Sequence, residues 1–341
     1  MNSYDRYTAV LQGRPIDFLP RTPILMQYAA EHVGEDYAGF ASDFRVLVAA
    51  NLACAAEFGM DQVSCISDPY RETQGFGASV EYIKTGPPIS THPLKENKDF
   101  GTLMKPDPMV SERMLDRVNA ARSFKKQCKE NISVLGWIEG PAAEAADLRD
   151  VSDFLLDLAM DEPYACDLMD ICLETGIALA QAQVTAGADT LGIGDAIASQ
   201  VSPDMYERLI QPREKTLVQS IKNMGAYVKL HICGNITRLL PGIADLGVDI
   251  LDVDHMVDMQ TAREAVGIEV ALAGNLDPVS GILQGTPEKI QTYVRKTYDT
   301  VGNPFIVNAG CEIPSGTPPQ NLKALCEPVP YIRDGATEDG G

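Results

Sequence analysis

Two short segments carry residue types and spacings suited to metal chemistry: His231-Ile232-Cys233-Gly234 and Asn308-Ala309-Gly310-Cys311-Glu312-Ile313. His231 and Cys233 stand at i and i+2, so on an extended strand both side chains leave the same face and can grip one ion. Cys311 follows the apolar run Pro304-Phe305-Ile306-Val307 where it breaks into Ala309-Gly310, and a thiolate there would complete a His/Cys/Cys set. That set suits zinc, and three ligands leave a position open for a reacting group. The ordinary alternative is that each cysteine is a small packing residue of an apolar strand. A histidine is a poor strand-core residue without a partner, which favours the ligand reading for the His231 and Cys233 pair.

Such ligands need strands that end together. Three places repeat one local pattern, Phe58-Gly59-Met60-Asp61, Ala186-Gly187-Ala188-Asp189 and Leu246-Gly247-Val248-Asp249. In each, a helical stretch stops at a glycine suited to a left-handed cap, and an apolar run follows within two residues. Met224-Gly225 and Val266-Gly267 punctuate the chain in the same way, so helices and strands alternate as a parallel sheet requires. The strands expected are Thr22–Met26, Gln62–Ile66, Ser133–Ile138, Thr190–Gly194, Tyr227–Ile232, Asp249–Val253, Glu269–Ala273 and Phe305–Asn308. This is the count of a closed (β/α)8 barrel, an α/β TIM-barrel fold whose active site lies at the C-terminal ends of the strands. An open doubly wound sheet is the alternative, weakened by the lack of a Gly-x-Gly-x-x-Gly after the first strand and of any Walker loop.

The residues just past these strand ends are polar: Gln27, Asp68 with Arg71 and Glu72, Glu139, Asp195, His231 with Cys233, Asp254, Asn275 and Cys311. A barrel would bring them to one mouth, although aspartate and asparagine also serve as helix N-caps after short loops. Glu139, Asp195 and Asp254 are the candidate catalytic carboxylates; Tyr28, Asp68, Arg71, Trp137 and Asn275 are candidate substrate contacts. One domain is expected over residues 1–327, with a Pro-rich, charged insertion at about 70–115 covering the mouth and a flexible tail over 328–341.

Composition narrows the partners. The 48 acidic against 28 basic residues of this 341-residue chain give a formal charge of −20, which argues against nucleic acid and anionic membranes as partners. The start, Met1-Asn2-Ser3-Tyr4-Asp5-Arg6, has no basic-then-apolar leader pattern and no run reaches the length of a membrane span, so a cytoplasmic protein is expected. Eight irregularly spaced cysteines read as reduced thiols. The charge and composition leave a homodimer open.

These residues together resemble the uroporphyrinogen decarboxylase superfamily, and within it the zinc-dependent cobamide methyltransferases. The resemblance runs from Arg6-Tyr7-Thr8-Ala9-Val10-Leu11-Gln12-Gly13 and Asp17-Phe18-Leu19-Pro20 through Glu139-Gly140-Pro141 and His231-Ile232-Cys233-Gly234 to Gly274-Asn275 and Gly310-Cys311 with Thr317-Pro318. It implies zinc on His231, Cys233 and Cys311. It also implies a displaceable carboxylate as fourth ligand, which falls on Asp254, with Asp252 as fallback and His255 facing the other way. The decarboxylase proper resembles this chain in fold but carries an arginine-rich segment after the first strand; here Met26-Gln27-Tyr28-Ala29-Ala30-Glu31 has no arginine.

The resemblance implies two directions for methyl transfer with a partner corrinoid protein. In one, the methyl group of a methoxylated aromatic passes to cobalt(I); Tyr28, Phe76, Trp137 and the loop Ile66-Ser67-Asp68-Pro69-Tyr70-Arg71-Glu72 offer aromatic and polar groups for a phenolic ring, and this O-demethylase reading is the one expected. In the other, a thiol takes the methyl group from methyl-cobalt, as in the coenzyme M enzymes. A decarboxylase-like lyase and a non-catalytic metal- or corrinoid-binding barrel complete the alternatives.

Overall fold

The computed structural model describes residues 1–332. Seven parallel strands form one curled sheet in sequence order: β1 (Gln62–Ser64), β2 (Ser133–Glu139), β3 (Thr190–Gly194), β4 (Tyr227–His231), β5 (Ile250–Val253), β6 (Ala271–Leu276) and β7 (Phe305–Ala309). Each pair of sequential neighbours is joined by a parallel ladder and a helical crossover. The helices before β1, β3, β4, β5 and β6 all reach the sheet through the expected glycines, Gly59, Gly187, Gly225, Gly247 and Gly267. All five have positive φ, which a side chain at those turns would resist.

The eighth expected strand, Thr22–Met26, does not form. Between β7 and β1 the chain makes a single parallel bridge, Arg21 with Val307. Thr22 N donates to Val307 O, Val307 N to Pro20 O, Asp61 N to Arg21 O and Ile313 N to Ile24 O. Pro20 and Pro23 have no N–H to offer, so a regular ladder cannot propagate through this stretch. The segment lies extended between the two edges, and below it Asp61 accepts from Arg6 Nη1 at 2.6 Å and from Arg21 Nε at 2.9 Å.

The core fills both faces of the sheet. On the inside, the lower end is closed by Tyr7 and Val10 of the helix Ser3–Leu11, packed beneath Ile250, Ala271, Ala273 and Ile306. Burying an aliphatic side chain of this kind contributes about 2 kcal/mol before entropy is counted. On the outside, Leu191, Ile193, Val228, Leu230 and Leu251 are fully buried against the surrounding helices. A sealed lower end leaves the C-terminal mouth as the place where a ligand can enter.

The segment at 70–115 contains the short helix Arg71–Gly75 and a small antiparallel ladder, Val80–Glu81 with Ile89–Ser90. It packs beside the helices that follow β2: Leu94 N donates to Leu148 O, and Lys98 Nζ pairs with Asp157 at 2.6 Å. Of the region expected as a tail, Val329 O accepts from Leu19 N and Tyr331 N donates to Asp17 O; residues 333–341 lie outside the described residues. All eight cysteines are free. Among the described residues no helix is long and apolar enough to cross a membrane.

Candidate metal centre

The ladder registers set Glu139 beside Gly194, Gly194 beside His231 and His231 beside Asp252, so one row of inward positions crosses four strands at the mouth. Cys233 lies two residues beyond β4 and Cys311 two beyond β7. His231 Nε2 is 3.2 Å from Cys233 Sγ, and Cys233 Sγ is 4.0 Å from Cys311 Sγ. The three ligand atoms lie within 4.8 Å of one another.

Those separations fit zinc. Bond lengths of about 2.3 Å to sulfur and about 2.0 Å to nitrogen in a tetrahedron require roughly 3.8 Å between sulfurs and roughly 3.6 Å between sulfur and nitrogen. The histidine is also oriented for it: Nδ1 lies 3.1 Å from the Asp252 carbonyl oxygen, and donation there leaves Nε2 as the ligand atom. Burial works against charge on His231, but the Cys311 sulfur and Asp252 offset this and hold its pKa up at about 9. The hydrogen bond from Cys311 lowers Cys233, and the same contact, with burial, raises Cys311.

A buried polar layer supports the histidine from below. Lys229 points inward two residues before His231, and its Nζ is 2.9 Å from Asp252 Oδ2. Asn308 Nδ2 donates to both Asp252 oxygens, at 2.8 and 3.0 Å. Asp252, the fallback ligand, is thereby engaged away from the thiols. Asp254, expected as fourth ligand, stands outside the three-residue cluster: Oδ2 accepts from Gly234 N and Oδ1 from Met256 N, both at 2.9 Å, and His255 Nδ1 is 3.1 Å from Oδ1. Its shorter side chain is occupied in holding the two loops that frame the site.

In front of the ligands opens a cavity of about 160 Å³, lined by Ile24, Met26, Ile66, Asp68, Pro69, Trp137, Glu139, Gly194, Ala196 and Glu312 beside the three ligands. Trp137 forms its floor because β3 offers no side chain there: a Cβ on Gly192 would meet the Trp137 ring at 2.2 Å. Trp137 Nε1 donates to Glu139 Oε1 at 3.1 Å, and Arg71 Nη2 donates to the same oxygen at 2.8 Å. Burial raises the Glu139 pKa well above the ordinary carboxylate range, with Arg71 opposing. Asp68 is held from behind by Arg113 through two hydrogen bonds, at 2.7 and 2.6 Å; burial pushes its pKa up, but Arg113 outweighs that and leaves it below the usual range.

Several expected contacts lie elsewhere. Tyr28 is a core residue, its ring stacked on His32 and tilted against Phe58, because the helix Gln27–His32 turns it away from the cavity. Arg71 is fully buried behind Glu139 and does not line the cavity. Asp195 accepts from Ala142 N and Ala143 N and so caps the helix Pro141–Arg149; Gly140 permits the approach, since a Cβ there would sit 2.3 Å from Asp195 Oδ2. Asn275 donates to the carbonyls of Asp254 and Val257 and accepts from Tyr293. Of the wall residues not singled out from sequence, Ile24 and Met26 share one face of the expected strand Thr22–Met26 by period-two spacing, and Glu312 directly follows Cys311. Lys229 was findable, since it shares the strand face of His231 at i−2.

Comparison with known proteins gives a consistent set of relatives. The family model described as uroporphyrinogen decarboxylase (URO-D) matches residues 2–330. The methylcobamide:CoM methyltransferase MtbA of Methanosarcina mazei is 28% identical, over 95% of this chain and 96% of its own. The uroporphyrinogen decarboxylase of Chlorobaculum tepidum is also 28% identical, over 90% of this chain and 93% of its own. Among solved structures, a methyltransferase from Methanosarcina mazei superposes with a TM-score of 0.87 at 25% identity, covering 95% of this chain and 97% of that one.

Proposed function

The chain belongs to the uroporphyrinogen decarboxylase family, and from that premise we propose that it is a corrinoid-linked methyltransferase that holds zinc through His231, Cys233 and Cys311 and passes a methyl group from a methylated cobamide to a small thiol. The observation that carries this reading is the three-ligand cluster at the base of an apolar cavity, with ligand separations suited to zinc and its open side toward the mouth. Likeness to methylcobamide:CoM methyltransferases supports the thiol direction over the ether direction expected from sequence.

Zinc bound there supplies a Lewis acid that favours thiolate over thiol at neutral pH. The residues of the chain do the rest. The Asp252 carbonyl fixes the His231 ring, while Lys229 and Asn308 fix Asp252. Ile24, Met26, Ile66 and Trp137 exclude water from the sulfur that is to react. Glu139, with Oε1 held by Arg71 and Trp137, keeps Oε2 for a proton or a substrate hydrogen bond. A thiolate held by these residues would bond to the methyl carbon of a methylated cobamide, whose carbon–cobalt bond would break with the electron pair left on the cobalt of the partner corrinoid protein.

Methyl transfer from a methoxylated aromatic to cobalt(I) stays as the second reading, favoured by the Trp137 floor and aliphatic walls, which suit a flat ring. Anaerobic assays of zinc-loaded protein decide between them. Demethylation of methyl-cobalamin by thiols supports the first reading; methyl-cobalt formation from methoxybenzenes with no thiol methylation reverses it.

A further inference from the structure

The cavity in front of the thiols is unusual in its charges. Its wall carries three carboxyl groups, Asp68, Glu139 and Glu312, and no lysine or arginine. Two of the three have cations behind them: Arg113 holds Asp68, and Arg71 holds Glu139. Both arginines are almost fully buried and neither lines the cavity, so neither can donate directly to a ligand there. Glu312 has no ion-pair partner among the described residues, and it sits next to the ligand Cys311. On the adjoining rim, Arg238 is exposed but lies in a separate hollow with Ser199, Gln200, Gly234, Asn235 and Met256.

We infer that the thiol accepted at this site carries no anionic tail, and that Glu312 is the residue that enforces the preference. The inference rests on the thiol reading above and narrows its substrate class. A thiol whose sulfur occupies the open ligand position must lay its tail along Ile24, Met26, Ile66 and Trp137. A sulfonate or carboxylate there loses its hydration, finds no donor of opposite charge and faces a wall whose side chains beyond the ligands are apolar or acidic. A short alkyl tail loses nothing on entry, and an ammonium tail gains a partner in Glu312. The acceptor is therefore an apolar or amine-bearing thiol.

Calorimetric titration of zinc-loaded protein with ethanethiol, 2-aminoethanethiol and 2-mercaptoethanesulfonate tests this, with methyl-cobalamin demethylation followed in parallel. Ethanethiol and 2-aminoethanethiol should bind at least about tenfold more tightly than the sulfonate. Glu312→Gln, with zinc content checked, should narrow that gap to about threefold. The wild-type comparison stands on its own if the variant loses zinc. Sulfonate binding as tight as that of ethanethiol overturns the inference and leaves the methyl-transfer reading in place, whereas binding of no thiol at all overturns both. A gap unchanged in zinc-bearing Glu312→Gln removes Glu312 from the role.

Discussion

The polar residues at the strand ends fall into two groups that share one mouth and differ in what engages them. At the ends of β4 and β7, His231, Cys233 and Cys311 make contact chiefly with one another, and His231 also reaches the Asp252 carbonyl through Nδ1. After β3, β5 and on β6, Asp195, Asp254 and Asn275 are engaged by backbone partners: two amides for Asp195, two for Asp254, two carbonyls for Asn275. A side chain committed to backbone groups on two segments holds loops in place; one whose lone pairs face others like it can bind something new. The difference predicts opposite consequences of mutation on the two sides of the mouth.

The largest effect should fall on the unsatisfied side. Cys233→Ala and Cys311→Ala should each lose nearly all bound zinc, and methyl transfer should fall by roughly a thousandfold or more. The melting temperature of the metal-free protein should change little, because neither thiol is a core anchor and the cost of each substitution is about 1 kcal/mol. Full zinc content in both variants, measured by elemental analysis, would show that the cluster is only packing.

Next comes Asp252, which joins the two groups: its carbonyl orients His231 and its carboxylate is saturated by Lys229 and Asn308. Asp252→Asn leaves the buried Lys229 ammonium without a counter-charge, and stability should fall by about 3 kcal/mol. Zinc affinity should drop about tenfold through looser positioning of the ring. A urea unfolding curve and a zinc competition titration check the two numbers, and a stable variant with weakened zinc would separate them.

Glu139→Gln probes a residue that is half engaged, with Oε1 occupied and Oε2 facing the cavity. Zinc should stay bound while turnover drops about tenfold, the scale of one misplaced proton or hydrogen bond at the reacting atoms. Metal loss in this variant would mean that Glu139 belongs to the ligand set.

Much of this arrangement was legible because period-two spacing and glycine punctuation are local. His231 with Cys233 could be paired from spacing alone, Thr190–Gly194 is the strand expected, and five glycine caps sit where the pattern put them. What was hidden depended on partners distant in sequence. Pro23 breaks the ladder that Thr22–Met26 would have made, but the extended course between Val307 and Asp61 needs both edges to be known. The residue type of Tyr28 suits a substrate contact, but the Phe58 and His32 rings packed against it make it part of the core. Arg71 and Arg113 could not be assigned to Glu139 and Asp68 before the fold brought them together.

The smallest effect on chemistry, and the sharpest contrast with the thiols, belongs to Asp195. Burial raises its pKa from 3.8 to about 7, against the pull of the two amides it caps. A carboxyl group with a folded-state pKa above its unfolded value binds its proton more tightly in the native state. Its share of stability therefore falls as pH rises from about 4 to about 7 and is level above that. Asp195→Asn removes this titration and keeps one acceptor for the two amides, so the variant should lose about 1 kcal/mol at acidic pH and less near neutrality. Zinc content and methyl transfer should stay within about twofold of the wild type, since the carboxylate reaches neither the cavity nor the ligands. Urea midpoints measured across that pH range give the test: the slope should shrink but not vanish, because burial also raises Asp147 and Asp189 into this range; a slope equal to the wild type's would take the titration away from Asp195, and a large loss of turnover would move Asp195 from the loop-holding group to the reacting one.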